Sequence, residues 1–376
     1  MTELDTDRLI RKEVSLGQIR EIPPPNGHIG LAQIAPFKEI DSDDFFFQYI
    51  TPEVDGLAPA RAEDAEAEMA AKDDFVGHGR ASIIDWAIKD SYTASDVSRY
   101  REFKRIAEIA GVNPQSFPLV AGSMTEDFAA KIARDTLLRR RKLDTRIEWL
   151  IMKGAFEGAI SYNDGKVKFD VSYGRPGGQQ DQAPAGGVWG ATSSDPIGDI
   201  NAMNDYMFTN HGVRLTRAYA SGKAIRSIMA SEKFAARSGL TTVPTGTPVD
   251  PNYLISGWGV DAAVAVVEAA TGVKFTVYDG FYRSRALGSN TVVMNRFTDE
   301  KKILFLPPEE ICNEISPELG FGSTCTSPHP EGNWGKGFYE WERTTVDPWR
   351  HDMGAGIKAF PIFPALEYSY VMKVFT

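Results

Sequence analysis

Five histidines, His28, His78, His211, His329 and His351, are the side chains with which this chain could bind a metal or move a proton near neutral pH. None lies three or four residues from another, and neither Cys312 nor Cys325 stands at ligand spacing from one. A zinc site needs such clustering. His78 lies between Gly77 and Gly79, and His329 between Pro328 and Pro330, both turn-like contexts. The carboxylate pairs Asp43-Asp44 and Asp73-Asp74 have nothing beside them to set one as acid and one as base, so solvated charge is the simpler reading. Ser256 in Ile-Ser-Gly-Trp-Gly lacks the preceding glycine of a nucleophile elbow. There is no Gly-x4-Gly-Lys-Ser/Thr phosphate loop, and Gly186, Gly187 and Gly190 have the wrong spacing for a dinucleotide turn. No catalytic, cofactor-binding or metal-ligating residue can be nominated, no cofactor is implied, and the chain reads as a protein that is not an enzyme.

Two clusters stand out instead. Trp334, Phe338, Tyr339, Trp341 and Trp349 crowd one short window. Aromatic residues gather at contacts between subunits, and ordinary core is the equal alternative. Arg139-Arg-Arg-Lys142 makes a basic run, and residues 124–160 carry eight Lys/Arg against six Asp/Glu. A face that tolerates DNA nearby is one reading. A solvated face with ion pairs such as Arg140 with Asp144 is the better one.

The chain has 376 residues, 42% apolar and 24% charged, so it can bury a sizeable core in two or more units. The net charge of −10 argues against a protein that grips phosphates. Acidic copies of such a chain repel, so self-association should rest on buried apolar area and strengthen with salt. Two cysteines form no disulfide framework and suit a reducing cytoplasm. Met1 to Val14 is polar and unlike a signal peptide, and the longest apolar stretch, Ala262 to Ala270, is interrupted by Glu268 and too short to cross a membrane.

The elements that would position any site follow from patterning. Residues 1–40, with Pro23-Pro24-Pro25, predict an arm lying on another surface. Aromatic residues 44–51 and residues 82–89 predict the two strands of a projecting excursion, with the polar Ala58 to Asp74 at its tip. Ser123-Met-Thr-Glu126 is a capping box, and a helix should run from 124 to about 160, with Leu143, Ile147, Leu150 and Ile151 on one face. Asp164-Gly165 predicts a hairpin. Residues 174–190 read as a linker and Asp195-Pro196 as a helix start. Val213–Ala218, Lys274–Tyr278, Thr291–Asn295 and Lys302–Leu306 predict strands; Gly222–Arg237 and Val260–Ala270 predict helices. Ile357 to Phe375 predicts a long edge or bent strand, since Pro361 and Pro364 suit edges. The mixture predicts an α+β fold.

Several of these patterns stand in one order. Tyr49-Ile-Thr-Pro-Glu-Val-Asp-Gly56 follows the aromatic strand, and the long helix ends in Trp149-Leu-Ile-Met-Lys-Gly154. A Gly-Lys hairpin comes next, then Trp189, Asp195-Pro196-x-x-Asp199-Ile200, Trp341-Glu-Arg-Thr-Thr-Val-Asp347-Pro348 and a Pro-rich terminal strand. Over about residues 30–376 this resembles the major capsid protein E family of lambda-like tailed bacteriophages. The resemblance implies the HK-ninety-seven-type shell fold: an N-terminal arm (1–40), an extended loop (41–95), a peripheral domain with a long spine helix (96–190 and 345–376) and an axial α/β domain (191–344). Arg61 to Asp74 departs from it, being richer in Ala and Glu than a strand there should be. The resemblance further implies homo-pentamers and homo-hexamers forming an icosahedral head shell around double-stranded DNA held by non-specific enclosure. Portal, scaffold and decoration proteins would be its other partners, with no membrane. Location would be the virion, after assembly in the host bacterial cytoplasm. Hinges would fall near 174–190 and at both ends of the extended loop. The rival readings are an encapsulin-type compartment shell and, from another class, a soluble hydrolase.

Overall fold

A computed structural model of the chain describes residues 25, 27–42, 44–50, 75–93, 95, 128–163, 167–191, 193–237, 260–285 and 291–375. After a wide helical turn at Gly30–Ile34 come β1 (Phe37–Glu39), β2 (Asp44–Ile50), β3 (Phe75–Ser82) and β4 (Asp85–Thr93). Helix α1 (Phe128–Glu157) precedes β5 (Ala159–Asn163), β6 (Lys168–Ser172), α2 (Pro196–His211), β7 (Arg217–Ala220), α3 (Gly222–Met229), α4 (Glu232–Arg237) and α5 (Val260–Thr271). Then follow β8 (Lys274–Val277), β9 (Phe281–Arg285), β10 (Val292–Arg296), β11 (Lys302–Leu306), α6 (Glu309–Ile315), β12 (Ser323–Thr326), β13 (Phe338–Val346), β14 (Trp349–Ile362) and β15 (Tyr370–Lys373). Among the described residues no helix is long and apolar enough to cross a membrane.

Two sheets organise these elements. The first runs β1-β12-β14-β13, with β4 also paired to β14. The second runs β15-β11-β7-β8. Side chains alternate across a strand, and β11 shows what that does here. Ile303 and Phe305 enter a core with α2, α3 and α5, while Leu304 and Leu306 enter another with α1 and β14. Tyr219 and Val371 face the α1 side, and Ala218 and Met372 the other. The second sheet is thus a wall between two cores, which is why 303–306 is an unbroken apolar run.

Helix α1 spans 30 residues, about 45 Å at 1.5 Å each. Its expected face is buried: Leu143, Ile147, Leu150 and Ile151 pack toward Ala355, Ile357 and Ala359 of β14. Helix α2 starts as the sequence predicts, with Asp195 accepting the Gly198 N–H at 3.0 Å and Pro196 in the first turn. It ends on Gly212 at φ 67°, the left-handed cap that glycine adopts without strain.

The structure departs from the pattern in several places. The capping box at 123–126, the turn at 164–166, Ser256 and the tip at 58–74 lie outside the described residues. The return strand of the excursion is Phe75–Ser82, paired with Asp44–Ile50; residues 85–93 instead form β4 on β14. Val213–Ala218 becomes a strand only at Arg217–Ala220. Gly222–Arg237 is two helices, because Ser231 accepts the Phe234 N–H and restarts the chain. The C-terminal segment is broken in two: β14 is interior, pairing with β4, β12 and β13, with Pro361 one residue from its end, while β15 is the edge strand of the second sheet. The first sheet draws β1 from the expected arm, β4 from the expected extended loop and β12 and β13 from the span expected to be axial. Strand β15, expected in the peripheral part, lies in the second sheet.

Candidate functional site: a buried junction and its open ribbons

Thr136, Arg140, Asp144 and Glu148 follow at four-residue intervals along α1, and all are buried. Such spacing keeps side chains on neighbouring turns of one helix face. Buried polar groups need partners: Thr136 accepts from Arg139 and Asp144 from Arg140 within the helix, while Arg140 and Glu148 reach other segments. Asp144 takes Arg140 at 3.0 Å with both oxygens, and the Arg140 guanidinium lies 3.4 Å over the Phe338 ring of β13. Neighbouring Arg139, fully buried, reaches Asp90 of β4 at 2.9 Å and Glu340 of β13 at 3.5 Å. The basic run therefore splits. Its Arg140–Asp144 pair forms as predicted but is buried, not solvated, and only Arg141 and Lys142 face water.

Glu148 closes the ridge. Its Oε1 accepts the Gly30 N–H and the Tyr278 hydroxyl, each at 2.9 Å, and its Oε2 accepts the Leu31 N–H at 2.9 Å. One carboxylate thus joins the N-terminal segment, α1 and the stretch after β8. A Cβ at residue 30 would stand 2.8 Å from Oε2, so the approach requires glycine. Burial raises the Glu148 pKa, opposed by its hydrogen bonds. His28 lies edge-on to Phe297, with ring centroids 5.6 Å apart, and burial lowers its pKa to about 4. Nothing in the histidine spacing foretold this, since the partners are distant in sequence.

A second anchor is Arg175. Its guanidinium donates to the carbonyls of Ala155 (2.6 Å) and Phe156 (3.2 Å) at the end of α1, to Gln180 (2.6 Å) and to Ser369 (2.8 and 3.1 Å). A cation there offsets the negative end of the helix, while burial lowers its pKa to about 9. Trp189 is buried and donates to Asp199 at 3.0 Å, and Asp199 also accepts the Gly186 N–H at 2.6 Å. The segment 174–190, expected as a hinge, is stitched down along its length by these bonds.

The aromatic window divides. Tyr339 and Phe338 are buried, Trp341 and Trp349 half-buried, and Trp334 is 71% exposed. Tyr339 lies opposite Gly356 and Trp341 opposite Gly354 across the β13–β14 ladder. Each ring covers its glycine: a Cβ at 356 would stand 2.4 Å from the Tyr339 ring and one at 354 would stand 2.2 Å from the Trp341 ring.

Three described two-stranded ribbons have no third strand: β2–β3, β5–β6 and β9–β10. Val346, at the far end of β13, is 85% exposed. Such ribbons are marginal alone in water. A groove of about 530 Å³ runs beside β7 and α6, lined by Ile34, Arg217, Tyr219, Glu309, Cys312 and Phe321. Its Arg217 is occupied by Glu309 at 2.7 Å and by the Pro307 carbonyl. Burial pushes the Cys312 thiol up to about 11, so it stays protonated at neutral pH and is a poor nucleophile. Among the described residues no group of three His, Cys, Asp or Glu is placed to hold a metal ion. The arrangement can clamp segments together and offer open strands to a neighbour.

No family model and no curated protein matches the chain. Solved structures do. A protein described as the capsid protein of a prophage of E. coli CFT073 aligns over 95% of this chain and 94% of its own, at 12% identity and a TM-score of 0.52. A phage-related protein from Bordetella bronchiseptica RB50 aligns over 98% of each chain at 13% identity and a TM-score of 0.49. The SrpI encapsulin of Synechococcus elongatus PCC 7942 aligns over 95% of this chain and 89% of its own, at 10% identity and a TM-score of 0.41. At such identities the likeness is one of fold, and of these three the first carries it. The chain has the α+β fold of that prophage capsid protein.

Proposed function

We propose that this chain is the major capsid protein of a tailed bacteriophage, a distant relative of the lambda-like E family. On this reading it assembles into pentamers and hexamers that close an icosahedral head around double-stranded DNA. The fold shared along most of the chain supports the reading. Fold alone does not assign function, and the observation that carries the proposal further is the β2–β3 ribbon. Asp44–Ile50 pairs with Phe75–Ser82 and, among the described residues, with no other strand. A ribbon of that kind gains stability when laid on another surface, and a shell supplies that surface on every neighbouring copy.

The same reading divides the chain into an arm (1–40), an extended loop (41–95), a peripheral part (96–190 and 345–376) and an axial part (191–344). Two cores support a division into two main bodies, with the sheet pairings of β12, β13 and β15 crossing its edges. Portal, scaffold and decoration proteins are the further partners of such a subunit, the virion is its place, and the host bacterial cytoplasm is where it would assemble. Its acidity suits DNA that is enclosed without being gripped.

Expression of the chain followed by electron microscopy tests the proposal. Closed particles are expected from the full chain. Removal of residues 56–79 is expected to leave a soluble subunit that forms none. A full-length chain that stays monomeric at high concentration and raised salt sinks the proposal. Particles isolated from infected cells with protein cargo in place of nuclease-protected DNA would favour the encapsulin reading.

A further inference from the structure

The β9–β10 hairpin is rooted by Tyr282, whose ring lies 5.1 Å from that of Phe297. Beyond that root it pairs with nothing else described. Its register sets Phe281 opposite Arg296, Arg283 opposite Met294 and Arg285 opposite Val292. Directly paired residues share a face, so Phe281, Val292 and Met294 lie on one face with Arg283 and Arg296. Phe281 is 55%, Val292 54% and Met294 52% exposed, and Val293 on the reverse face is 50% exposed. Soluble monomers rarely leave such a contiguous apolar patch in water, and where they do it marks a contact site.

We infer that this hairpin is a finger that seats on an acidic face of a second copy of the chain. The inference rests on the shell reading and names a contact within it. Charge identifies the occupant. Between Asp279 and Asp299 there are three arginines and no acid, so the rest of the chain carries −13 once these are subtracted from the total of −10. Arg296 is already held by Asp279 at 2.8 Å. Arg283 has no ion-pair partner among the described residues, and its side chain is exposed. The finger therefore asks for apolar cover with acid around it. Helix α6 and the turn after it present that combination: exposed Glu310 and Glu314 lie on the helix that carries Ile315, itself 37% exposed, and exposed Glu318, 3.9 Å from Lys38, follows it. Duplex DNA would satisfy the arginines but leave Phe281, Val292 and Met294 in water.

The test places a photo-crosslinking residue at Met294, on the docking face, of the full chain and irradiates it at assembly concentration. Crosslinks between two copies, mapped by mass spectrometry to Glu310–Glu318 or to another acidic face, are expected. The double variant Val292→Glu, Met294→Glu should retain the wild-type circular dichroism and lose at least tenfold in particle yield. Crosslinks confined within one chain, or formed only to DNA or to a different protein, overturn the inference. Particles from the double variant at wild-type yield overturn it as well while leaving the shell reading standing. Crosslinked pairs without any closed particle would sink the shell reading and keep the finger.

Discussion

Tyr278 donates its hydroxyl to Glu148 at 2.9 Å, across 130 positions of the chain. The same carboxylate holds the backbone of Gly30 and Leu31. Three distant segments thus depend on one buried acid. Glu148→Ala would leave two N–H groups and a phenol without an acceptor, at about 3 kcal/mol or more of stability. Urea unfolding measures that loss. Glu148→Gln keeps an acceptor and should cost less. The sign of the pH effect follows from the raised pKa. A carboxyl more easily protonated when folded adds stability below its unfolded value of 4.5, and that contribution fades as pH rises through the folded value. The wild-type chain should therefore gain on Glu148→Gln as pH falls from neutral. A pH-independent difference would refute the assignment.

His28 should act in the opposite direction. Burial lowers its pKa from 6.5 to about 4. The neutral ring is favoured in the fold, so its contribution is present above pH 6.5 and lost as pH falls toward 4. Between pH 7 and pH 5 the cost is about 2 kcal/mol at 1.36 kcal/mol per unit. His28→Leu should remove that part of the acid sensitivity, read as a smaller shift in urea midpoint between the two pH values.

Arg175 ties the end of α1 to Gln180 and Ser369. Lysine carries the charge but not the planar fork of donors. Arg175→Lys should destabilise by about 2 kcal/mol and Arg175→Met by about 3 kcal/mol or more, since both lose the fork that holds the Ala155 carbonyl, while the Phe156 carbonyl keeps the Gln180 amide at 3.0 Å. Equal stability of Arg175→Lys and wild type in thermal unfolding would show that charge alone suffices.

Gly356→Ala should be costly for steric reasons. The added methyl would meet the Tyr339 ring, which is 1% exposed, stacks on His329 at 4.1 Å and donates to Asp85 at 2.6 Å. Displacing it should cost about 1–3 kcal/mol and change the near-ultraviolet circular dichroism. Gly337→Ala makes a useful contrast: no atom lies within 4 Å of its added methyl, but its φ of 85° is strained for alanine. That variant should weaken the fold without disturbing the Tyr339 signal.

What the amino-acid sequence settled by itself was local. The face of α1 through Leu143, Ile147, Leu150 and Ile151, the Asp195-Pro196 helix start and the hairpin around Asp164-Gly165 were legible, because short-range spacing and capping are properties of neighbouring residues. Tertiary structure alone decided the rest. It buried Arg139 and Arg140 against strands some fifty and two hundred residues away, made β14 a central strand despite Pro361, and brought Gly30, Glu148 and Tyr278 to one point. Nor did spacing show that Tyr339 and Trp341 cover glycines on the next strand. Each of these is a long-range pairing. Its energy depends on which surfaces meet after collapse, and neither periodicity nor motif encodes that meeting.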